Sequence, residues 1–344
     1  MSASCTQLLV TDGPLPEKWI HGARGEPRLQ AHRLDVDDVT AAAGGGLGSA
    51  WVIRFSKWIA GEHAGGPRWD EFEPAYEGNF VFFFVGAERA ILFDTGPIPY
   101  PPLCAALQQL ASERASELEL VVSHTHGHGD HVMGDGLAWA DGPWRSVTFV
   151  PAEQLSVAEY YGLPPPSTMP DPSQCQVEYD LGGRSLTLFW ILGHHDSHIA
   201  IYDRATNVLI TGDNLYAGRL YVSEPALFVS SCQRLAEFAS ALPAGLRVLG
   251  CHIEMDSTGA EYTTGTVYQP DEAEYALGQS DVVALAQCAR DAAVRDADGT
   301  VVALPRMVTG RFIIDPKGPA LYVAPATVGA TALTIAGAEG AAKV

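Results

Sequence analysis

Apolar and polar residues fall into alternating blocks along the middle of the chain, and the blocks predict strands and helices in turn. Asn79-Phe80-Val81-Phe82-Phe83-Phe84-Val85 is rich in aromatic and β-branched residues and reads as a strand. Glu88-Arg89 marks a turn, and Ala90-Ile91-Leu92-Phe93 is a second strand closed by Asp94-Thr95-Gly96-Pro97, so the pair reads as a hairpin. From Pro101 to Leu118 the apolar residues Leu103, Leu107, Leu110 and Ala111 recur at helical spacing. Leu118 to Val122 and Val147 to Val150 read as strands, with a helix through Leu155 and Tyr160 after the second. Beyond the Pro-rich stretch Leu163 to Pro172, strands are expected at Arg184–Leu192, Ile199–Tyr202, Val208–Thr211 and Arg247–Cys251. Cys232–Leu242 and Asp271–Ala293 read as helices, whereas residues 1–50 read as irregular, with Ala41 to Gly48 as a flexible loop. Strands and helices alternate through 79–252, so the class is α/β or α+β with mixed sheets. With no clear linker, the reading is a single domain over 1–344: an N-terminal extension (1–75), a catalytic core (76–255) and a C-terminal elaboration (256–344).

Composition narrows the picture. Hydrophobic residues make up 47% of 344, enough for a large core. No run of about 18 apolar residues occurs, so no membrane span is expected. The first 20 residues, with Asp12, Pro14 and Pro16, lack the charged start and apolar stretch of a signal peptide, and a cytoplasmic location is the expectation. Twenty-one basic against 41 acidic residues leave a net charge of −20, which disfavours nucleic acid as a partner and points to a small-molecule substrate. Oligomeric state stays open, a homodimer included. The six cysteines (Cys5, Cys104, Cys175, Cys232, Cys251 and Cys288) form no CxxC pair and read as reduced, mostly buried thiols. Cys251 stands out because it abuts His252.

The chemistry is concentrated after the strand at 118–122. His124-Thr125-His126-Gly127-His128-Gly129-Asp130-His131 holds four imidazoles and a carboxylate. Histidines at i and i+2 can share one ion where the backbone is looped, which Gly127 and Gly129 permit. Imidazole with carboxylate suits zinc, with iron or manganese as alternatives. A solvated His-rich loop that binds metal loosely is the plainer reading. Against it, the other candidate ligands also follow expected strand ends: Gly193-His194-His195-Asp196-Ser197-His198, Thr211-Gly212-Asp213-Asn214 and Gly250-Cys251-His252.

In this order, Asp94-Thr95-Gly96, His126-Gly127-His128-Gly129-Asp130-His131, Gly193-His194, Gly212-Asp213 and His252 resemble the motifs of the metallo-β-lactamase superfamily, in its glyoxalase II and lactonase-like branch. The resemblance implies a four-layer αβ/βα sandwich of two mixed sheets flanked by helices, with two divalent metal ions at one edge. It also implies that His126, His128 and His194 hold the first ion, that Asp130, His131 and His252 hold the second, and that Asp213 bridges both. Asp94 would orient the ligand loop. The chain departs from the family where Gly-His usually continues with Thr-Pro-Gly-Ser or a close variant. His195 is then a ligand, a support for one, or a substrate contact, and His198 a proton donor or a structural residue. His124 matches no ligand position.

A two-metal site with a bridging carboxylate lowers the pKa of a shared water, so the expected reaction is hydrolysis by the hydroxide. Asp130 would orient that nucleophile. Family β-lactamases typically lack the bridging aspartate, and Leu209-Ile210-Thr211-Gly212-Asp213-Asn214-Leu215-Tyr216 is similar to the matching stretch of glyoxalase II-like thioesterases. A thioester, lactone or ester is therefore the expected substrate. The alternatives are β-lactam, phosphodiester or sulfate-ester hydrolysis, and a non-hydrolytic iron protein or ligand sensor on the same fold. Tyr216, Arg219 and Tyr221 are candidate pocket residues, Tyr216 also as a catalytic group, as are Trp58, Trp69 and Phe72. The stretch Glu261 to Pro270 reads as a lid or a plain loop.

Overall fold

The aromatic run at 80–84 sets the architecture because both of its faces are buried. In this computed structural model, which describes residues 8–11, 15–16, 19, 29–34, 48–55, 78–166, 175–266 and 268–316, the run is strand β4 (Phe80–Val85) of a seven-stranded sheet. The sheet runs in sequence order: β1 (Leu8–Thr11), β2 (Leu29–Arg33), β3 (Ala50–Phe55), β4, β5 (Arg89–Phe93), β6 (Glu119–Ser123) and β7 (Ser146–Phe149). The pairs β1–β2, β5–β6 and β6–β7 are parallel and the others antiparallel. The expected hairpin is present, with Phe82 opposite Phe93.

The even residues of β4, Phe80, Phe82 and Phe84, point into a core shared with a second sheet. That sheet holds β8 (Gln176–Asp180), β9 (Ser185–Trp190), β10 (Ile199–Asp203), β11 (Val208–Gly212), β13 (Arg247–Gly250) and β14 (Leu277–Gly278). Leu186, Leu188, Trp190, Ile201 and Ile210 supply its side of the shared core. The odd residues, Val81 and Phe83, face outward onto helix α1 (Pro102–Ala111), whose Leu103, Leu107 and Leu110 cover them. On the far side, Phe189, Tyr202 and Leu209 are covered by two helices that carry Phe228, Leu235, Val282 and Leu285: α4 (Pro225–Ser240) and α5 (Gln279–Ala292), after α2 (Gly129–Val132) and α3 (Gln154–Tyr161) in the chain. Helix, sheet, sheet, helix is the αβ/βα order expected. No helix among the described residues is long and apolar enough to cross a membrane.

Three readings need correction. Residues 1–50 contribute strands where irregular chain was expected. In β2, Gln30 and His32 are as buried as Leu29 and Ala31, because Trp19 packs on His32 at 4.4 Å. The next strand, β3, is masked by Arg54, which is fully buried and pairs through both terminal nitrogens with Glu272, at 2.8 and 2.5 Å. The helix expected at 271–293 begins only at Gln279. Glu272 is drawn to Arg54, Tyr275 stacks on Phe80 at 4.0 Å and donates to the Gly250 carbonyl, and these contacts hold 271–278 extended. The helix starts where Asp281 accepts the backbone N–H of Gly278 at 2.8 Å. Conversely, α4 begins earlier than expected, with Pro225 at its first turn, where a missing N–H costs nothing. Trp58, Trp69, Phe72 and most of the Ala41–Gly48 stretch lie outside the described residues.

Candidate metal centre

Strand ends build the centre. The chain leaves β5 through Asp94, whose backbone takes a left-handed φ of 70°. It leaves β6 into His124–His128, and short α2 presents Asp130 and His131 from its first turn. Beyond β9 comes His194; Asp213 follows β11 and His252 follows β13. The loops are cross-tied: Thr95 donates its backbone N–H to His131 O at 2.8 Å, Ile199 N–H bonds Thr125 O at 2.9 Å, and Cys251 N–H bonds Gly212 O at 3.1 Å. Gly212 adopts φ +50°, and a Cβ there would stand 2.3 Å from His198 Nε2, so a larger residue would displace that imidazole.

Seven side chains form two groups that share Asp213. In the first, His194 Nε2 is 3.2 Å from His126 Nε2 and 2.9 Å from His128 Nδ1, and the latter two are 3.0 Å apart. Metal–nitrogen bonds of about 2.0–2.1 Å in a tetrahedron give edges of about 3.3 Å, so these three nitrogens have nearly the spacing of ligands around one ion. In the second, His131 Nε2 and His252 Nε2 lie 3.2 and 3.3 Å from Asp130 Oδ2. Asp213 turns Oδ2 to His194 (3.5 Å) and His131 (3.4 Å), and Oδ1 to His252 (3.2 Å). His131 Nε2 and Asp213 Oδ1 are buried without a hydrogen-bond partner among the described residues, which a cation between the groups would remedy. The donor set fits divalent metal ions.

Neighbouring groups fix the ligands. Asp94 accepts Thr125 N–H at 2.7 Å and Thr125 Oγ1–H at 2.8 Å, and its Oδ2 takes the Nδ1–H of His131 at 3.0 Å. That leaves the Nε2 lone pair of His131 for a metal. The Cys251 thiol donates to the same carboxylate at 3.5 Å, and burial, then the Asp94 charge, push it well above the usual thiol range. Asn79, absent from the sequence reading as a site residue, donates to Asp130 Oδ2 at 2.9 Å and to Asp130 O at 3.1 Å. Nothing in a strand-forming run singles it out. His194 Nδ1 bonds the Tyr221 carbonyl at 2.8 Å.

The electrostatics favour bound cations. Burial, aided by neighbouring imidazoles, holds His126 well below its ordinary value and takes His128 down to about 3, so both are neutral donors. Burial opposes charge on Asp130 and Asp213, but adjacent His131 and His252 hold both well below the usual carboxylate range. Burial likewise opposes charge on His131, and the carboxylates of Asp130, Asp213 and Asp94 outweigh it.

The remaining candidates take other places. His124 donates to Asp135 at 2.9 Å, which also accepts from Thr95. His198 is fully buried under the site, 4.6 Å from the His126 ring, and burial holds it neutral. His195 belongs to neither ligand group. Tyr216 packs on His252 at 5.3 Å, while its hydroxyl bonds the Arg219 carbonyl and Glu254. Arg219 is spent on Glu254, Glu261 and the Tyr262 carbonyl.

The chain is 28% identical over 190 residues to a hydroxyacylglutathione hydrolase of Gloeothece citriformis, covering 52% of this chain and 66% of that protein. It is 27% identical over 186 residues to the human acyl-coenzyme A thioesterase MBLAC2, covering 46% and 67%. The chain thus spans about two thirds or less of these relatives. A metallo-beta-lactamase from Pontibacter korlensis is a structural neighbour at TM-score 0.42 and 17% identity, covering 70% of this chain and 95% of its own. The family model described as the metallo-beta-lactamase superfamily matches residues 76–252, from just before β4 to His252, and the chain belongs to that superfamily.

Proposed function

We propose that the protein is a dinuclear metallohydrolase that cleaves an ester-type bond, with a thioester as the preferred substrate. The observation that carries this reading is Asp213: its Oδ2 lies 3.5 Å from His194 of one group and 3.4 Å from His131 of the other, where a single carboxylate could serve both ions. His126, His128 and His194 would hold one ion, and Asp130, His131 and His252 the other. Zinc suits the imidazole-rich group, and iron or manganese also suits the one with the extra carboxylate. When bound, the pair supplies Lewis acidity and an activated water near neutral pH.

The chain's own residues do the rest. Asp130, clamped by Asn79, is placed to take a hydrogen bond from the attacking water and orient it. Water oxygen bonds to the acyl carbon, the carbon–sulfur bond breaks, and the thiolate takes up the proton, giving acid and thiol. His198 packs under His126, and Tyr216 walls His252. The relatives, a hydroxyacylglutathione hydrolase and an acyl-coenzyme A thioesterase, support a thioester above a lactone.

The test is chelator-stripped protein assayed before and after two equivalents of zinc, on acyl-glutathione, acyl-coenzyme A, lactone and β-lactam substrates. Recovery of thioester turnover with zinc is expected. Turnover without metal, or none on any acyl substrate with both ions bound, refutes the reading.

A further inference from the structure

We propose that His195, which belongs to neither ligand group, is a substrate-contacting residue whose Nε2–H donates to the acyl oxygen of the substrate and to the carboxylate of the product. This rests on the hydrolase reading above.

The ring is anchored through one nitrogen only. Its Nδ1 lies 3.2 Å from the backbone N–H of Ser197, 3.0 Å from Ser197 Oγ and 3.1 Å from Asp196 Oδ1. The first contact decides the tautomer. Ser197 is 1% exposed, and a buried N–H needs an acceptor. The Asp196 side chain is 79% exposed and has water to bond. Nδ1 therefore accepts, and the proton of the neutral ring sits on Nε2. Among the described residues no protein group takes that proton.

The ring lies against the site. His195 Cε1, the carbon between the two ring nitrogens, lies 3.0 Å from where a Cβ on Gly127 would stand, so the ring rests on the loop between His126 and His128. The ring is 4.7 Å from His128, the one half-buried member of the otherwise buried first group. His195 itself keeps 24% of its side chain exposed. Gln154, at the start of α3, bonds the Asp196 carbonyl and holds this rim in place. An anchored, partly exposed imidazole with a free N–H, beside the most accessible ligand, is where an incoming oxygen would meet the protein.

The test uses zinc-loaded protein and three variants: His195→Phe keeps a ring without a donor, His195→Ala removes both, and His195→Gln restores a donor. Three quantities are read: zinc content, the kcat and KM split on a thioester, and acetate affinity as a product mimic. Acetate binding needs no turnover, so it tests His195 even if the thioester reading fails. Expected are two zinc per chain throughout, a loss of about tenfold to a hundredfold in kcat/KM and a weaker grip on acetate for His195→Phe and His195→Ala, with recovery in His195→Gln. Zinc loss in His195→Phe would make the residue a support for ligands and overturn the proposal. So would wild-type turnover and acetate affinity in that variant, no acetate binding by the wild type, or no difference between His195→Gln and His195→Ala.

Discussion

Replacing Asp94 by asparagine probes how the second ligand group is held. The backbone tolerates the change, because asparagine adopts the left-handed φ of 70° as readily as aspartate. The size is also kept. What changes is one acceptor. The amide oxygen can still take Thr125 N–H at 2.7 Å, but the amide nitrogen then faces the Nδ1–H of His131 at 3.0 Å. Two donors cannot share that gap. Either the bond is lost, or His131 moves its proton to Nε2 and gives up the lone pair that a metal needs. Losing a carboxylate partner of a metal-bound histidine costs about 10- to 100-fold in metal affinity, or about 1.4–2.7 kcal/mol. The site is fully buried, which argues for the upper half of that range. Competition with a chromophoric chelator measures the affinity of both ions. One ion should weaken while the other, held by His126, His128 and His194, changes little. Equal weakening of both, or no change, would refute the assignment of Asp94 to His131.

Metal removal should lower thermal stability as well as activity. An ion at a hundred times its dissociation constant adds about 2.7 kcal/mol to a fold that alone binds it, so the melting temperature should climb with zinc concentration. Glu272→Gln should destabilise by about 3–5 kcal/mol in urea titration, because it removes a charge that the fully buried Arg54 guanidinium pairs with; a cost below about 1 kcal/mol would count against the pair as a lock between β3 and the segment before α5. Burial takes His32 from 6.5 down to about 4. The unfolded chain therefore binds a proton below pH 6.5 that the folded chain refuses until about pH 4, so metal-free stability should fall across that window by about 3 kcal/mol from this residue. Above pH 6.5 it contributes nothing, and His32→Leu should flatten that part of the profile.

The candidate ligands stood out in the sequence because each lies in a loop that follows an expected strand. A strand end is visible as an apolar run that stops at a polar residue, and Val121-Val122, Leu209-Ile210 and Val248-Leu249 all do so just before histidine or aspartate. The supporting groups were legible only in part. Asp94 announced itself by its turn motif, whereas Asn79 sits one residue before an aromatic strand and reaches Asp130 across 51 positions. The N-terminal strands were hidden for a related reason. Arg54 breaks an apolar run with a charge that is tolerable only beside Glu272, 218 residues away. Local patterning cannot reveal a residue whose justification is a distant partner. That same partner delays the start of the last helix by eight residues, since Glu272 cannot both join a helix and reach β3.

The sheet order explains why seven candidate ligands from four loops can agree on so small a space. β5 and β6 run parallel, as do β11 and β13, so the loops of Asp94 and of His126–His131 leave one sheet from the same edge, and those of Asp213 and His252 leave the other likewise. The two sheets are then pinned together beside that edge, where Phe80 N–H bonds Cys251 O at 2.9 Å. That single bond joins the start of β4 to the residue before His252, and Asn79, its chain neighbour, grips Asp130. Ligands from both sheets are thus referenced to one short stretch, Asn79-Phe80. The precision of the second ligand group follows from that stretch, and Asn79→Ala should loosen Asp130 while leaving the first group's three nitrogens where they are.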